Sequence, residues 1–236
     1  MYKIAIVNSS SFGKYFPDHI KRLKALGDVA YFTFPKDIDG KTLAENLKEY
    51  NLIIASVTPF FTEAFFKHHP GCKLISRHGI GYNNIHLPSA TQHHCFVSKV
   101  EGIVEQDAVA ENAIALLMNL TRLQSPAQVA ANEGRWSDRA KFLGYQVRNK
   151  TVGIIGFGNI GSRVGSILRD GFNCRVLAYD PHRDLRDEVL CEQVSLDVLL
   201  KESDILSLNA YLSEDSHHMI GAHEISQMKD DVIIVN

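Results

Sequence analysis

Cysteine is scarce in this chain of 236 residues. The four thiols, Cys72, Cys95, Cys174 and Cys191, stand far apart with no C-x-x-C spacing, so neither a disulfide scaffold nor a cysteine-built zinc site is indicated. Scattered free thiols fit a reducing compartment, and the expected location is cytoplasmic. Apolar runs are short: Ala113 to Met118 and Val232 to Val235 fall far below the ~20 residues of a membrane-crossing helix. Met1 to Val7 offers too small an apolar stretch for a signal peptide and reads as a first strand. Charge of one sign is not in excess either. Lys and Arg number 25 against 27 Asp and Glu, a formal net charge of -2, which leaves no basic field for nucleic acid or anionic membrane. No low-complexity tract or short repeat occurs. Small molecules and other protein surfaces remain as partners. Apolar residues make up 45% and charged residues 22%, the balance of a globular chain, and at roughly 150 residues per domain the length suits one or two domains.

From Lys3 to Ser98, β-branched strands alternate with amphipathic helices. Strands are expected at 3–7, 29–34, 52–55, 74–77 and 96–98, and helices around 17–26, 41–49, 62–68 and 88–94. Strands reached through helices run parallel, giving an open sheet with helices on both faces. Pro17 and Pro88 suit first helical turns, while Gly27 and Gly71 stand where helices should stop. Near Val100 the pattern changes. Gln106 to Leu120 has no breaker and a broad apolar stripe, the mark of one long helix, followed by a helix around 127–133 and an irregular stretch from Arg135 to Asn149. Alternation resumes at 151–155, 160–170, 175–179, 196–202, 205–208, 224–228 and 232–235. Two α/β domains follow, 1–102 and 103–236, each a doubly wound parallel sheet.

Thr151 to Val164 carries Gly156-Phe157-Gly158-Asn159-Ile160-Gly161, a G-x-G-x-x-G pattern between an apolar strand and a helix. Gly156 permits the tight turn, Gly158 lets backbone approach a pyrophosphate, and Gly161 allows close helix–strand packing. Amides of Asn159 and Ile160 then face the anion. The next strand, Arg175 to Tyr179, ends in Asp180, about 20 residues on, where an acid accepts from the adenosine ribose hydroxyls. That carboxylate repels a 2′-phosphate, so NAD is favoured over NADP, with Arg183 leaving a small opening for the latter.

The sequence resembles the D-isomer-specific 2-hydroxyacid dehydrogenases. The resemblance rests on Lys73 to Ile85, on Ala108-Val109-Ala110-Glu111-Asn112, on the nucleotide turn with Tyr179-Asp180-Pro181, and on Ser203 to Leu208 with Met228-Lys229. It implies a flavodoxin-like substrate domain over 1–102, and a Rossmann NAD-binding domain over 103–236 that is incomplete at its C-terminal end. The active site would lie in the cleft between them, and the reaction would be hydride transfer between nicotinamide C4 and C2 of a small 2-oxo or 2-hydroxy acid. The resemblance further implies that amides of Gly79, Ile80 and Gly81 hold the substrate carboxylate; Arg77 and His78 either add charge there or serve structurally in the strand-to-loop join. It places Val109 beside the nicotinamide and the strand end Asn209-Ala210-Tyr211 on the cofactor. A homodimer through the nucleotide domain is implied as well. Departures from the family pattern are Asn209-Ala210-Tyr211-Leu212 in place of His-x-Pro-Leu, Ser216 in place of Thr, and Asn83 and His86 in place of aspartates.

Carbonyl reduction needs a cation to polarise the oxygen and an acid to protonate the alkoxide. The arginine, glutamate and histidine that the resemblance implies for these roles are expected beyond Asn236, so the chain reads as the N-terminal portion of a longer enzyme and no catalytic residue is assigned within it. The adjacent pairs His68-His69, His93-His94 and His217-His218 point apart on either element type and make no metal pattern. The alternative function is an NAD(H)-binding corepressor-like protein, or a catalytically dead nucleotide binder of the same fold.

Overall fold

The computed structural model describes residues 2–236, and the chain divides into two compact units between Glu101 and Gly102. In the first unit the elements run β1 (Tyr2–Val7), α1 (Pro17–Lys24), β2 (Gly27–Phe32), α2 (Gly40–Leu47), β3 (Leu52–Ala55), α3 (Glu63–His68), β4 (Leu74–Arg77), α4 (Leu87–Gln92) and β5 (Phe96–Lys99). Every strand pair is parallel, in the order β2-β1-β3-β4-β5. Ile4 to Val7 are buried without alternation, as a strand covered on both faces requires. Leu43 and Leu47 of α2 and Phe65 and Phe66 of α3 close one side over Ala5, Ile53 and Ile75. Asp39 caps α2 by accepting from the amides of Lys41 at 3.0 Å and Thr42 at 2.9 Å.

Pro17 opens α1, and Pro88 lies in the first turn of α4. The two glycines expected as helix stops act otherwise. α1 ends at Lys24 with Ala25 as its cap, and Gly27 begins β2, where a Cβ would lie 2.0 Å from the Tyr2 carbonyl oxygen. Strand contact, not helix termination, requires glycine there. Gly71 follows α3 at a distance, with His69 in the capping position. All four cysteines are free, and Cys72 and Cys95 sit side by side in this core with sulfurs 3.5 Å apart.

His69 is buried beneath Phe65, its Nε2 3.0 Å from the Tyr50 carbonyl. Burial pushes its imidazole pKa below the ordinary value. The unfolded chain then binds the extra proton, so this contribution to stability is complete above the unfolded value of about 6.5 and is lost as pH falls below it. Urea midpoints at pH 7.5 and 5.5 should differ more in the wild type than in His69→Gln. Equal differences would remove His69 as the cause.

The second unit runs α5 (Gly102–Thr121), α6 (Gln124–Asn132), a 3₁₀ turn at Trp136–Lys141, β6 (Thr151–Ile155), α7 (Asn159–Phe172), β7 (Arg175–Tyr179), β8 (Glu192–Gln193), α8 (Leu196–Glu202), β9 (Ile205–Leu208), α9 (Ala222–Ile225) and β10 (Ile233–Val235). Its parallel order is β10-β9-β6-β7-β8. α5 and α7 cover one face through Ala110, Leu117, Val164 and Leu168, and α8 covers the other through Leu199 and Leu200. α5 starts a turn earlier than its apolar stripe suggests, and the irregular stretch 135–149 contains the 3₁₀ turn. The two-residue β8 carries no periodicity of its own and exists through pairing with β7.

Candidate cofactor site and anion loop

β6 is flanked by β9 on one side and β7 on the other, so the chain reverses direction across the sheet at this strand. Loops leaving β6 and β9 diverge at such a point and open a crevice beyond the strand ends. A cleft of about 400 Å³ lies there, lined by Gly156, Gly158, Asp180, Asn209, Ala210 and Tyr211 together with Ile155, Tyr179, Pro181, His182, Arg183, Ser213, Asp215, Ser216 and Met219. Six residues singled out in the sequence thus meet in one crevice.

Each glycine of the turn answers a different demand. Gly156 has φ +84°, and a Cβ on it would meet the Ala210 amide nitrogen at 2.6 Å. A Cβ on Gly161 would lie 2.1 Å from the Gly156 carbonyl oxygen, so α7 could not start so close to β6. At Gly158 a Cβ would meet nothing within 4 Å. The protein does not use that space. No side chain caps α7, and the amides of its first turn point out of the helix end with the positive pole behind them. Asn159, Ile160 and Gly161 form that turn, Asn159 exposed and Gly161 buried.

Asp180 ends β7 and is held on both carboxylate oxygens: Phe157 N–H donates at 2.9 Å and His182 N–H at 3.0 Å. The acid therefore ties its strand end to the glycine turn. Arg183 donates through Nη1 to the Phe157 carbonyl, so its guanidinium lies against the turn from the other side. Across the crevice, Asn209 donates to Ser207 Oγ at 2.9 Å. Ser216 Oγ accepts from Ser213 N–H at 2.8 Å and contacts the Tyr211 carbonyl at 2.7 Å, which fixes the loop on which Tyr211 stands exposed. Of the residues expected on the cofactor, Asn159, Ile160 and Gly161 at the head of α7 and Val109 are not among those lining the cleft. Val109 lies on the exposed side of α5, although α5 meets the start of α7 through the Asp107–Arg163 ion pair at 2.6 Å.

In the first unit, β4 delivers Arg77 and the loop His78-Gly79-Ile80-Gly81. His78 N–H donates to the Ala55 carbonyl at 2.8 Å, and Val100 N–H to that of Gly79 at 3.1 Å. Gly79 has φ +147°, and a Cβ there would press on the Arg77 guanidinium at 2.8 Å. Arg77, expected either to add charge at the loop or to serve the strand-to-loop join, is buried, with Nη1 donating to the His78 carbonyl of its own loop. His78 is exposed. Among the described residues no group of three or more His, Cys, Asp or Glu is placed to hold a metal ion, and no helix is long and apolar enough to cross a membrane.

Sequence reasoning missed His182 and Ser213 and gave Ser216 only as a departure from the family pattern. The Asp-Pro-His turn and the serines three residues apart are turn-forming patterns, but their placement on the crevice depends on the sheet order.

Residues 114–236 match the family model described as D-isomer specific 2-hydroxyacid dehydrogenase, NAD binding domain. A glyoxylate reductase of Thermococcus litoralis is 31% identical over 225 residues, covering 92% of this chain and 67% of its own length. A hydroxypyruvate reductase of Thermotoga maritima is 40% identical over 164 residues, covering 70% and 52%. Among solved structures, D-lactate dehydrogenase from Aquifex aeolicus complexed with NAD and lactic acid superposes with a TM-score of 0.83 at 28% identity, over 98% of this chain and 67% of that one. The chain thus spans about half to two thirds of the length of these relatives.

Proposed function

The chain belongs to the D-isomer specific 2-hydroxyacid dehydrogenase family, residues 114–236 falling in its NAD binding domain, and from that premise we propose that it serves hydride transfer between NAD and a small 2-oxo or 2-hydroxy acid. The observation that carries the reading is the unfilled space over Gly158, at the mouth of a helix with free leading amides and beside a carboxylate already oriented by two backbone N–H groups. A dinucleotide fits this set. Its diphosphate takes the amides of Asn159 and Ile160 with backbone approach at Gly158, its adenosine ribose takes Asp180, and Asn209, Ala210 and Tyr211 form the opposing wall. Val109 faces the nicotinamide end in this reading. Bound NAD supplies the hydride acceptor and donor at C4.

On the acid side, the amides of Gly79, Ile80 and Gly81 hold the carboxylate. Arg77 acts by bracing that loop, and His78 stands at its edge. These are roles of binding and orientation, and they leave the substrate's C2 free to face the cofactor. NADH absorbance should fall when the full-length protein meets a panel of 2-oxo acids. Absence of turnover on every acid would contradict the proposal.

A homodimer through the second unit and a cytoplasmic location complete the reading. Ile103, Val104, Leu116, Leu120, Val129 and Trp136, on α5, α6 and the turn after them, are exposed and supply the apolar side chains that a dimer contact through these elements would cover. Light scattering should give twice the chain mass, and a monomer would reject the dimer. The free thiols support the reducing compartment, and recovery of the native protein with intramolecular disulfides would count against it.

A further inference from the structure

In the first unit the strand order β2-β1-β3-β4-β5 reverses at β1, so its crevice opens beyond the ends of β1 and β3. The loop leaving β1 is built with unusual firmness. Asn8, at φ +51°, donates from Nδ2 to the Phe34 carbonyl and to Thr58 Oγ, each at 3.0 Å, and accepts from Phe34 N–H at 2.7 Å. Its side chain thereby joins the segments that follow β1, β2 and β3. Ser9 Oγ accepts from Phe12 N–H at 3.1 Å, and Tyr31 Oη donates to the Phe12 carbonyl at 3.2 Å. Gly13 turns the chain away at φ +75°.

These contacts hold the backbone that carries one aromatic ring. Phe12 meets the His78 ring edge-on, with centroids 5.2 Å apart and planes at 87°. Because β3 lies between β1 and β4, a ring carried on the β1 loop reaches His78 only by crossing over the end of β3, where the crevice opens. An apolar ring, on a loop held by five hydrogen bonds and beside a polar, glycine-lined loop, is the arrangement that sorts ligands by the size of what extends from the anion.

We propose that Phe12 is the specificity-determining residue of this unit. With the carboxylate on the amides of Gly79 to Gly81, its ring limits the substituent on C2 of the oxo acid, favouring the hydrogen of glyoxylate or the methyl of pyruvate over branched or aryl groups. This rests on the function proposed above. A residue that merely covers the sheet end would, when truncated, affect all acids alike, whereas a wall changes the ratio between them.

The test is kcat/KM of the full-length protein with NADH on glyoxylate, pyruvate, 4-methyl-2-oxopentanoate and phenylpyruvate. In Phe12→Ala the ratio of bulky to small acid should rise about tenfold or more, chiefly through KM, and in Phe12→Leu by a smaller factor in the same direction. Should the alanine variant fail to fold, the leucine variant decides. Folded variants whose ratios stay within about twofold of wild type would overturn the wall alone. Wild-type protein inert on all four acids would overturn the dehydrogenase reading, and the wall with it.

Discussion

Alanine at Gly161 should destabilise the protein by about 1–3 kcal/mol and abolish measurable NAD binding, while alanine at Gly158 should cost no more than about 1 kcal/mol and still weaken binding at least tenfold, about 1.4 kcal/mol. The two positions separate fold from function. Inside a helix, glycine to alanine ordinarily gains about 1 kcal/mol, so a loss at Gly161 reports the collision 2.1 Å from the Gly156 carbonyl. Relief of that collision must move α7 away from β6, and the leading amides move with it. A methyl at Gly158 meets no protein atom within 4 Å and changes only the space a diphosphate would enter. Thermal unfolding and calorimetric titration of both variants check this. Equal binding loss and equal stability loss at the two positions would mean that the space over Gly158 is not the diphosphate site.

The second large effect is at Asp180. Its carboxylate accepts from Phe157 N–H and His182 N–H, and hydrogen bonds to a charged acceptor contribute about 1.5–3 kcal/mol each. Asp180→Ala therefore loosens the turn and removes the ribose acceptor together, and NAD affinity should fall about 10–100-fold. NADP should lose far less, because the same change removes the charge that repels a 2′-phosphate. With Arg183 lying against the Phe157 carbonyl, a cation remains nearby to meet that phosphate. The ratio of NAD to NADP affinity should drop at least tenfold. An unchanged ratio would detach Asp180 from the ribose and leave it a turn-holding role.

Much of this was legible in the sequence because it rests on local rules. β3, β4, β6, β7, α8 and β9 have the bounds that β-branched runs and their breakers suggest, and the glycine turn and Asp180 are read from spacing. What was not legible depends on neighbours distant in sequence. Gly27 resembles a helix stop until β1 is laid beside it and the Tyr2 carbonyl fills the Cβ position. Arg77 reads equally as a charge at the loop or a structural residue of the strand-to-loop join until the loop folds back and the guanidinium bonds the carbonyl beside it. β8 owes its existence to β7, and Ser213 joins the crevice only through the loop that Ser216 ties to the Tyr211 carbonyl. Phe12, five residues past Val7 in a polar run, carries no pattern that announces its contact with His78.

The dinucleotide site is tested most directly by isothermal titration of NADH and NAD into the chain, with circular dichroism establishing that it is folded. Saturable heat is expected at one site per chain, abolished by Gly161→Ala and weakened by Asp180→Ala. Folded protein that gives no heat with either form of the coenzyme would contradict the account at its root.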